Sequence, residues 1–280
     1  MEKISVVIIT YNEEKNIGRC IDSVRPVADE VVVLDSFSSD DTVAIAKSKG
    51  ARVYQQPFAG YVSQKNKVLE MASCDYVLSL DADEELSDEL CQSILNLKSR
   101  RFVFHAYVMN RRNKYCGRFI RHGTWYPDRK IRLFEKNTLR WGGPDVHEKI
   151  ILPPRMAVYP LKGDLLHYTF ESVSDHKKNN DKYSTIAARS LYKSGKRISP
   201  LKIAASPAWA FINSFILRLG FLDGYRGLVI ACQQARYHYY KYAKLYKLQK
   251  GGMVVPIKPR LNIQPPAHAD SLTRDIPAEV

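Results

Sequence analysis

Ile4-Ser5-Val6-Val7-Ile8-Ile9-Thr10-Tyr11-Asn12-Glu13-Glu14 is the stretch whose reading decides the fold. Its first six residues are mostly β-branched and lack the polar alternation of a half-exposed strand, so they read as a strand buried on both faces. A polar turn follows, with acids where a helix begins. Ile17, Cys20, Ile21 and Val24 then recur at helical spacing. The pattern repeats outward. Glu30-Val31-Val32-Val33-Leu34-Asp35 reads as a second buried strand, Thr42 to Lys49 as a helix, Val53-Tyr54 as a third short strand and Gln64 to Ala72 as a helix. Tyr76-Val77-Leu78-Ser79-Leu80 is a further strand ending at Asp81, and Glu84 to Leu97 reads as helical. This order predicts an α/β fold: an open, mostly parallel sheet with helices on both faces. Ligands of such sheets bind beyond the carboxyl ends of the strands. Thr10 to Glu13, Asp35-Ser36 and Asp81-Ala82-Asp83 should therefore share one edge. Asp81 and Asp83 can reach one ion only if the chain turns between them. Hard oxygen ligands of this kind suit Mg²⁺ or Mn²⁺ bridging a diphosphate.

The chain has 280 residues, of which 45% are hydrophobic and 26% charged. That composition excludes a wholly disordered chain, a collagen-like fibre and a polytopic membrane protein. The net charge of +14 is unevenly spread. Residues 1–99 carry ten Lys and Arg against seventeen Asp and Glu, or −7, whereas residues 100–280 carry 33 against 12, or +21. A basic portion of this size points to a polyanionic partner such as nucleic acid, anionic lipid or a phosphorylated glycan. Five scattered cysteines with no Cys-x-x-Cys pair argue against a disulfide framework or a structural zinc site. Met1-Glu2-Lys3 leads straight into the first strand without a signal-peptide pattern, so the expected location is cytosolic.

Four motifs carry a more specific likeness: residues 6–14 above; Val33-Leu34-Asp35-Ser36-Phe37-Ser38-Ser39-Asp40-Asp41-Thr42; Gln64-Lys65-Asn66; and Leu80-Asp81-Ala82-Asp83-Glu84. In that order and spacing, residues 1–100 resemble a family 2 glycosyltransferase with the GT-A fold. Asp128 to Phe134, Val146-His147-Glu148, Leu166-His167-Tyr168 and Gly220 to Gly224 resemble the subgroup that adds glucose or heptose to the lipopolysaccharide core. The resemblance implies a nucleoside diphosphate sugar donor, UDP-linked in the first instance, and a Mg²⁺ or Mn²⁺ ion. Thr10, Tyr11, Glu13 and Asp35 would hold base and ribose. Asp40 and Thr42 read as loop and helix-start residues. Lys65 would pair with donor phosphate or with Asp35. Asp83 would bind the metal, with Asp81 on ribose or a metal-bound water, and His167, placed after Leu165-Leu166 as at a strand end, as a further ligand. Inverting transfer needs a base for the acceptor hydroxyl; the resemblance favours Glu148, with Asp145 second. Arg129 and Arg132, an odd number of residues apart, fall on opposite faces of a strand, so one is free for phosphate. Trp125 and Trp141 would stack on sugars or lie in the core.

Residues 173–193 read as a polar helix whose Lys and Tyr183 flank an acceptor site. Pro207 to Leu222 is an apolar run too short to span a bilayer, which needs ~20 apolar residues. Aromatic rings interleaved with Lys between Arg236 and Lys247 are the composition of a membrane interface. The expectation is a pair of helices lying in the inner leaflet against anionic headgroups; the alternative is a pair covering the domain's own core. Pro256 to Val280 reads as a disordered tail. The domain division that follows is 1–100 for the nucleotide sugar, 101–200 for the acceptor, 201–250 for the membrane interface and 251–280 for the tail. The functional expectation is an inverting, metal-dependent transferase acting on a lipid-linked or phosphorylated glycan, peripheral on the inner face of the cytoplasmic membrane. Two alternatives stand beside it: a polyprenyl phosphate or capsule acceptor, and a basic RNA- or DNA-binding protein.

Overall fold

The computed structural model describes residues 2–143 and 148–251. Its N-terminal part alternates β1 (Ile4–Thr10), α1 (Ile17–Val24), β2 (Glu30–Asp35), α2 (Thr42–Ser48), β3 (Arg52–Gln55), α3 (Tyr61–Met71), β4 (Tyr76–Asp81), β5 (Glu84–Leu86) and α4 (Asp88–Ser99). Then come β6 (Ala106–Tyr115), β7 (Arg118–Phe119), β8 (Asp128–Glu135), β9 (Arg140–Gly142), β10 (Lys149–Ile151) and β11 (Tyr159–Phe170). Three helices close the described chain: α5 (Val173–Lys193), α6 (Pro200–Ile212) and α7 (Gly224–Gln249). A π-helical turn at Asn213–Leu217 and a 3₁₀ turn at Gly220–Asp223 join the last two.

The strand order is β3-β2-β1-β4-β8-β6-β11-β5, with β7 paired to β6. The first four strands are parallel, and β8 and β5 run antiparallel to their neighbours. The expected open α/β sheet is thus present, parallel where the sequence alternates strand and helix and mixed beyond it. Because β4 pairs with β8, one sheet runs across the boundary at residue 100.

Period-two alternation explains the two layers. Ile4, Val6 and Ile8 enter one core together with Ile17, Cys20, Ile21 and Val24 of α1 and Leu90 and Ile94 of α4. Val7, Val32 and Val77 enter the opposite core with Val68 and Leu69 of α3. The apolar face of α1 is fully buried, and each such Ile or Val contributes about 1.5–3 kcal/mol. The chain at Glu84 differs from the helix expected there. Glu84–Leu86 pairs with Leu165 to His167 of β11, and α4 begins only after Ser87, whose side chain accepts from the Leu90 N–H. Gly163 makes this crossing possible, since a Cβ there would lie 2.3 Å from the Leu90 nitrogen.

The last two helices pack to different extents. α7 buries Gly227, Ile230, Ala231 and Gln233, and Ile230 packs on Tyr115 and Ile120. α6 leans on α7 and buries only Ala210. Among the described residues no helix is long and apolar enough to cross a membrane. The expected tail lies, from residue 252 onward, outside the described residues.

His176 of α5 is buried against Phe170, Trp125 and Tyr115, with the Tyr115 hydroxyl 3.1 Å from Nδ1. Burial lowers its imidazole to about 4. The unfolded chain takes up that proton near 6.5, so this contribution to stability is complete above pH 6.5 and is lost as pH falls toward 4. The loss amounts to ~2 kcal/mol between pH 7.5 and 5. Urea denaturation at those two values should show His176→Phe losing less stability than the parent chain.

Candidate active site

Parallel registry brings the carboxyl ends of three strands together: Thr10 stands opposite Asp35 and Ile9 opposite Asp81. A cleft of about 480 Å³ lies over this edge, lined by Thr10, Tyr11, Glu13, Asp81, Asp83 and His167, with Lys182 and Tyr183 of α5 at its wall. The chain turns at Ala82-Asp83, as the Asp81/Asp83 pair requires. Its two carboxylates nevertheless engage different partners.

Asp81 belongs to an ionic wall. Its Oδ1 lies 2.9 Å from Lys65 Nζ, and its Oδ2 accepts from Arg132 Nη2 at 2.7 Å. Lys65 Nζ also donates to Glu148 Oε1 at 2.9 Å. Arg132 Nη2 reaches the buried Glu84 Oε1 at 2.5 Å. Trp141 lies beneath both cations, with Lys65 Nζ 4.4 Å and the Arg132 guanidinium carbon 5.5 Å from its ring. Burial by itself would raise the Asp81 carboxyl, but Arg132 and Lys65 hold it well below the usual carboxylate range. Asp81 and Glu148 also line a second cleft of about 670 Å³, whose rim carries Arg111, Arg129, Lys130 and Lys149.

Asp83 turns the other way, its Oδ2 3.1 Å from His167 Nε2. The far side of that imidazole is fixed: Nδ1 donates to Asn113 Oδ1 at 2.6 Å, while the amide nitrogen of Asn113 donates to the Trp125 carbonyl. Thr169 Oγ1 lies near both, 3.0 Å from Nδ1 and 3.2 Å from Oδ1. With the ring held this way, Nε2 and the Asp83 carboxylate face one another at a spacing that two ligands of one cation can adopt. Among the described residues no group of three His, Cys, Asp or Glu could enclose a metal alone. A carboxylate and an imidazole fit an ion that takes its remaining ligands from phosphate and water.

The expected site residues therefore divide. Thr10, Tyr11, Glu13, Asp81, Asp83, His167 and Glu148 converge on the cleft. The Thr10 Oγ1 is buried there without a partner among the described residues. Burial pushes the Glu13 carboxyl up, and the charges of Asp83 and Asp40 add to the rise against the Asn16 hydrogen bond. Asp35 is fully buried, accepts from the Ser38 N–H and Gln55 Nε2 at 2.9 Å each and from the Ser38 hydroxyl, and so positions the loop after β2; its neighbour Ser36 is the residue of that strand end that lines the cleft. Lys65 is 1% exposed and forms ion pairs with Asp81 and Glu148, not with Asp35. Arg132 is likewise buried in ion pairs, whereas Arg129 is the exposed member of that pair. His167 lies inside β11, not at its end, because β11 continues to pair with β6 as far as Phe170. Trp141 is a core residue, 6% exposed. Asp40 and Thr42 cap and lock loops as expected: Thr42 Oγ1 accepts from the Glu13 N–H and Asp40 accepts from the Thr42 N–H. Asp145 falls outside the described residues. Glu84, Asn113 and Thr169 had no assigned role, and only Glu84 stood in a quoted motif. Asn113 and Thr169 carry no signal in the sequence beyond an even spacing of Thr169 from His167.

Residues 5–157 match the family model described as glycosyl transferase family 2. Among curated proteins, an uncharacterized glycosyltransferase of Rickettsia typhi is 34% identical over 263 residues, covering 89% of this chain and 88% of its own length. The lipopolysaccharide core biosynthesis glycosyltransferase LpsC of Rhizobium meliloti is 29% identical over 250 residues, covering 87% and 92%. Among solved structures, glucosyl-3-phosphoglycerate synthase from Mycobacterium tuberculosis, in complex with Mn²⁺, UDP and glucosyl-3-phosphoglycerate, aligns at 29% identity with a TM-score of 0.33. That alignment covers 41% of this chain and 45% of the synthase.

Asp81→Asn leaves the buried Lys65 and Arg132 with one counter-charge each, Glu148 and Glu84, which costs about 1–3 kcal/mol. Asp81 stabilises the fold above its unfolded pKa, and that stabilisation is lost as pH falls. The gap in urea stability between parent and variant should be full at pH 7 and narrow below about pH 4.

Proposed function

The chain belongs to glycosyl transferase family 2, and from that premise we propose that it transfers a sugar, with inversion, from a nucleoside diphosphate sugar to a lipid-linked glycan of the lipopolysaccharide core type. The observation that carries this reading is the pair of clefts meeting at Asp81 and Glu148. The first offers hydroxyls and carboxylates at strand ends, including the unpartnered Thr10 Oγ1, for a nucleotide. Asp83 and His167 are the residues that would hold a divalent ion. Bound there, Mg²⁺ or Mn²⁺ supplies positive charge against the departing diphosphate. The second cleft offers Arg111, Arg129, Lys130 and Lys149 to an acceptor bearing phosphate. The similarity to LpsC over most of both chains supports an acceptor of the core type.

Glu148 stands on the wall common to both clefts and is the base of the reaction. An acceptor hydroxyl from the cationic cleft attacks the anomeric carbon. The bond from that carbon to the phosphate oxygen breaks with its electron pair leaving on the diphosphate, and the hydroxyl proton passes to the Glu148 carboxylate. Lys65 holds the Glu148 carboxylate in position before transfer. Lys182 and Tyr183 narrow the donor cleft from the side of α5.

Titration calorimetry against a panel of nucleoside diphosphates and their sugars, with and without Mn²⁺, tests the donor. One diphosphate should bind with a clear dependence on Mn²⁺, and Asp83→Ala should remove that dependence. Glu148→Gln should cut kcat about 10²–10⁴-fold while leaving the donor Kd unchanged. Loss in Asp145→Asn with full activity in Glu148→Gln would move the base to Asp145.

A further inference from the structure

The joint between α6 and α7 is tightly built. A Cβ on Gly227 would lie 1.8 Å from the Gly220 carbonyl oxygen, and one on Gly220 would lie 2.5 Å from that of Ser214. Asp223 is buried, and its carboxylate accepts the N–H groups of Arg121 and His122 at 3.2 and 2.8 Å. The Gly123 N–H donates to the Arg218 carbonyl. Nothing in this packing hides the apolar side chains. Ile216, Leu217, Leu219, Phe221, Leu222 and Tyr225 all point outward, Leu217 at 58% and Tyr225 at 75% exposure. The face continues along α6 through Leu201, Trp209 and Ile212, spaced as one side of a helix. From Ile203 to Leu217 there is no charged residue.

The charge around this face has one sign. Between residues 182 and 251 there are thirteen Lys and Arg and a single acid, the buried Asp223. Arg121 and Arg218 are exposed beside the joint. A second copy of the chain would bring cations against cations. A surface that is apolar inside and anionic at its boundary meets both demands at once.

We propose that the outer face of α6 and the joint after it insert into an anionic lipid surface, with Arg121 and Arg218 at the headgroups. This goes beyond the transfer reaction and does not depend on it. Once the joint is seated, α6 is the element in the bilayer and α7 remains the one that covers the protein core.

The test is co-sedimentation of the full chain with vesicles of phosphatidylglycerol and phosphatidylethanolamine, and with phosphatidylcholine alone, at physiological and raised salt. Near-UV circular dichroism and urea denaturation check that each variant is folded. The parent chain should partition onto the anionic vesicles. Leu217→Ser combined with Leu222→Ser should weaken that partition about tenfold or more. Lipid carrying bromine in its acyl chains should quench tryptophan emission in the parent chain and fail to quench it in Trp209→Phe, which decides the matter if the double variant does not fold. Three results would overturn the proposal: no partition of the parent chain; partition that raised salt abolishes and the apolar substitutions leave unchanged; or concentration-dependent dimers that the same substitutions dissolve. None of them would bear on metal-dependent donor binding, so the two readings fail separately.

Discussion

One ammonium group, Lys65 Nζ, organises the site. A lysine 1% exposed has given up most of its hydration, a penalty of several kcal/mol that only close counter-charges offset. Asp81, Glu148 and the face of Trp141 supply them. Those three partners come from the end of β4, the residue before β10 and strand β9. Lys65 itself comes from α3, 83 residues from Glu148 in sequence. The contact thus fastens the small β9–β10 ribbon to the main sheet at the point where the two clefts meet. Arg132 repeats the logic one step along, bridging Asp81 to Glu84, so the wall alternates in sign and no member of it lacks a partner of opposite charge.

Much of the fold is legible in the sequence because burial on both faces leaves an unmistakable pattern. Val31 to Leu34 and Val77 to Leu80 can be little else, and parallel pairing then forces Thr10, Asp35 and Asp81 to one edge. Which of those carboxylates faces a ligand is not legible. Asp35 and Asp81 occupy equivalent strand ends, yet the Ser38 and Gln55 donors turn the first inward and a distant lysine claims the second. Glu84 shows the same limit in another form. Its local pattern suits a helix start, but pairing with β11, some 80 residues away, makes it a strand. His167 escapes a sequence reading because the end of β11 is set by where β6 stops pairing and not by any nearby turn residue.

The last two helices make the same point about composition. Both read as apolar and cationic, and neither motif nor charge separates them. Small residues do: Gly227 and Ala231 let α7 approach the protein closely, while the bulk on α6 is left outside. The acidic first hundred residues and the basic remainder also have distinct places, carboxylates at the strand ends of the first cleft and cations around the second.

Because Asp81 and Glu148 belong to both clefts, neither cleft has an electrostatic field of its own. A charge brought into one changes the potential at two carboxylates that the other also reads. By linkage, the free energy that one occupant adds to the binding of its neighbour equals what the neighbour adds in return. A wall made of shared ions therefore couples the two clefts, and the coupling is the same whichever of them fills first.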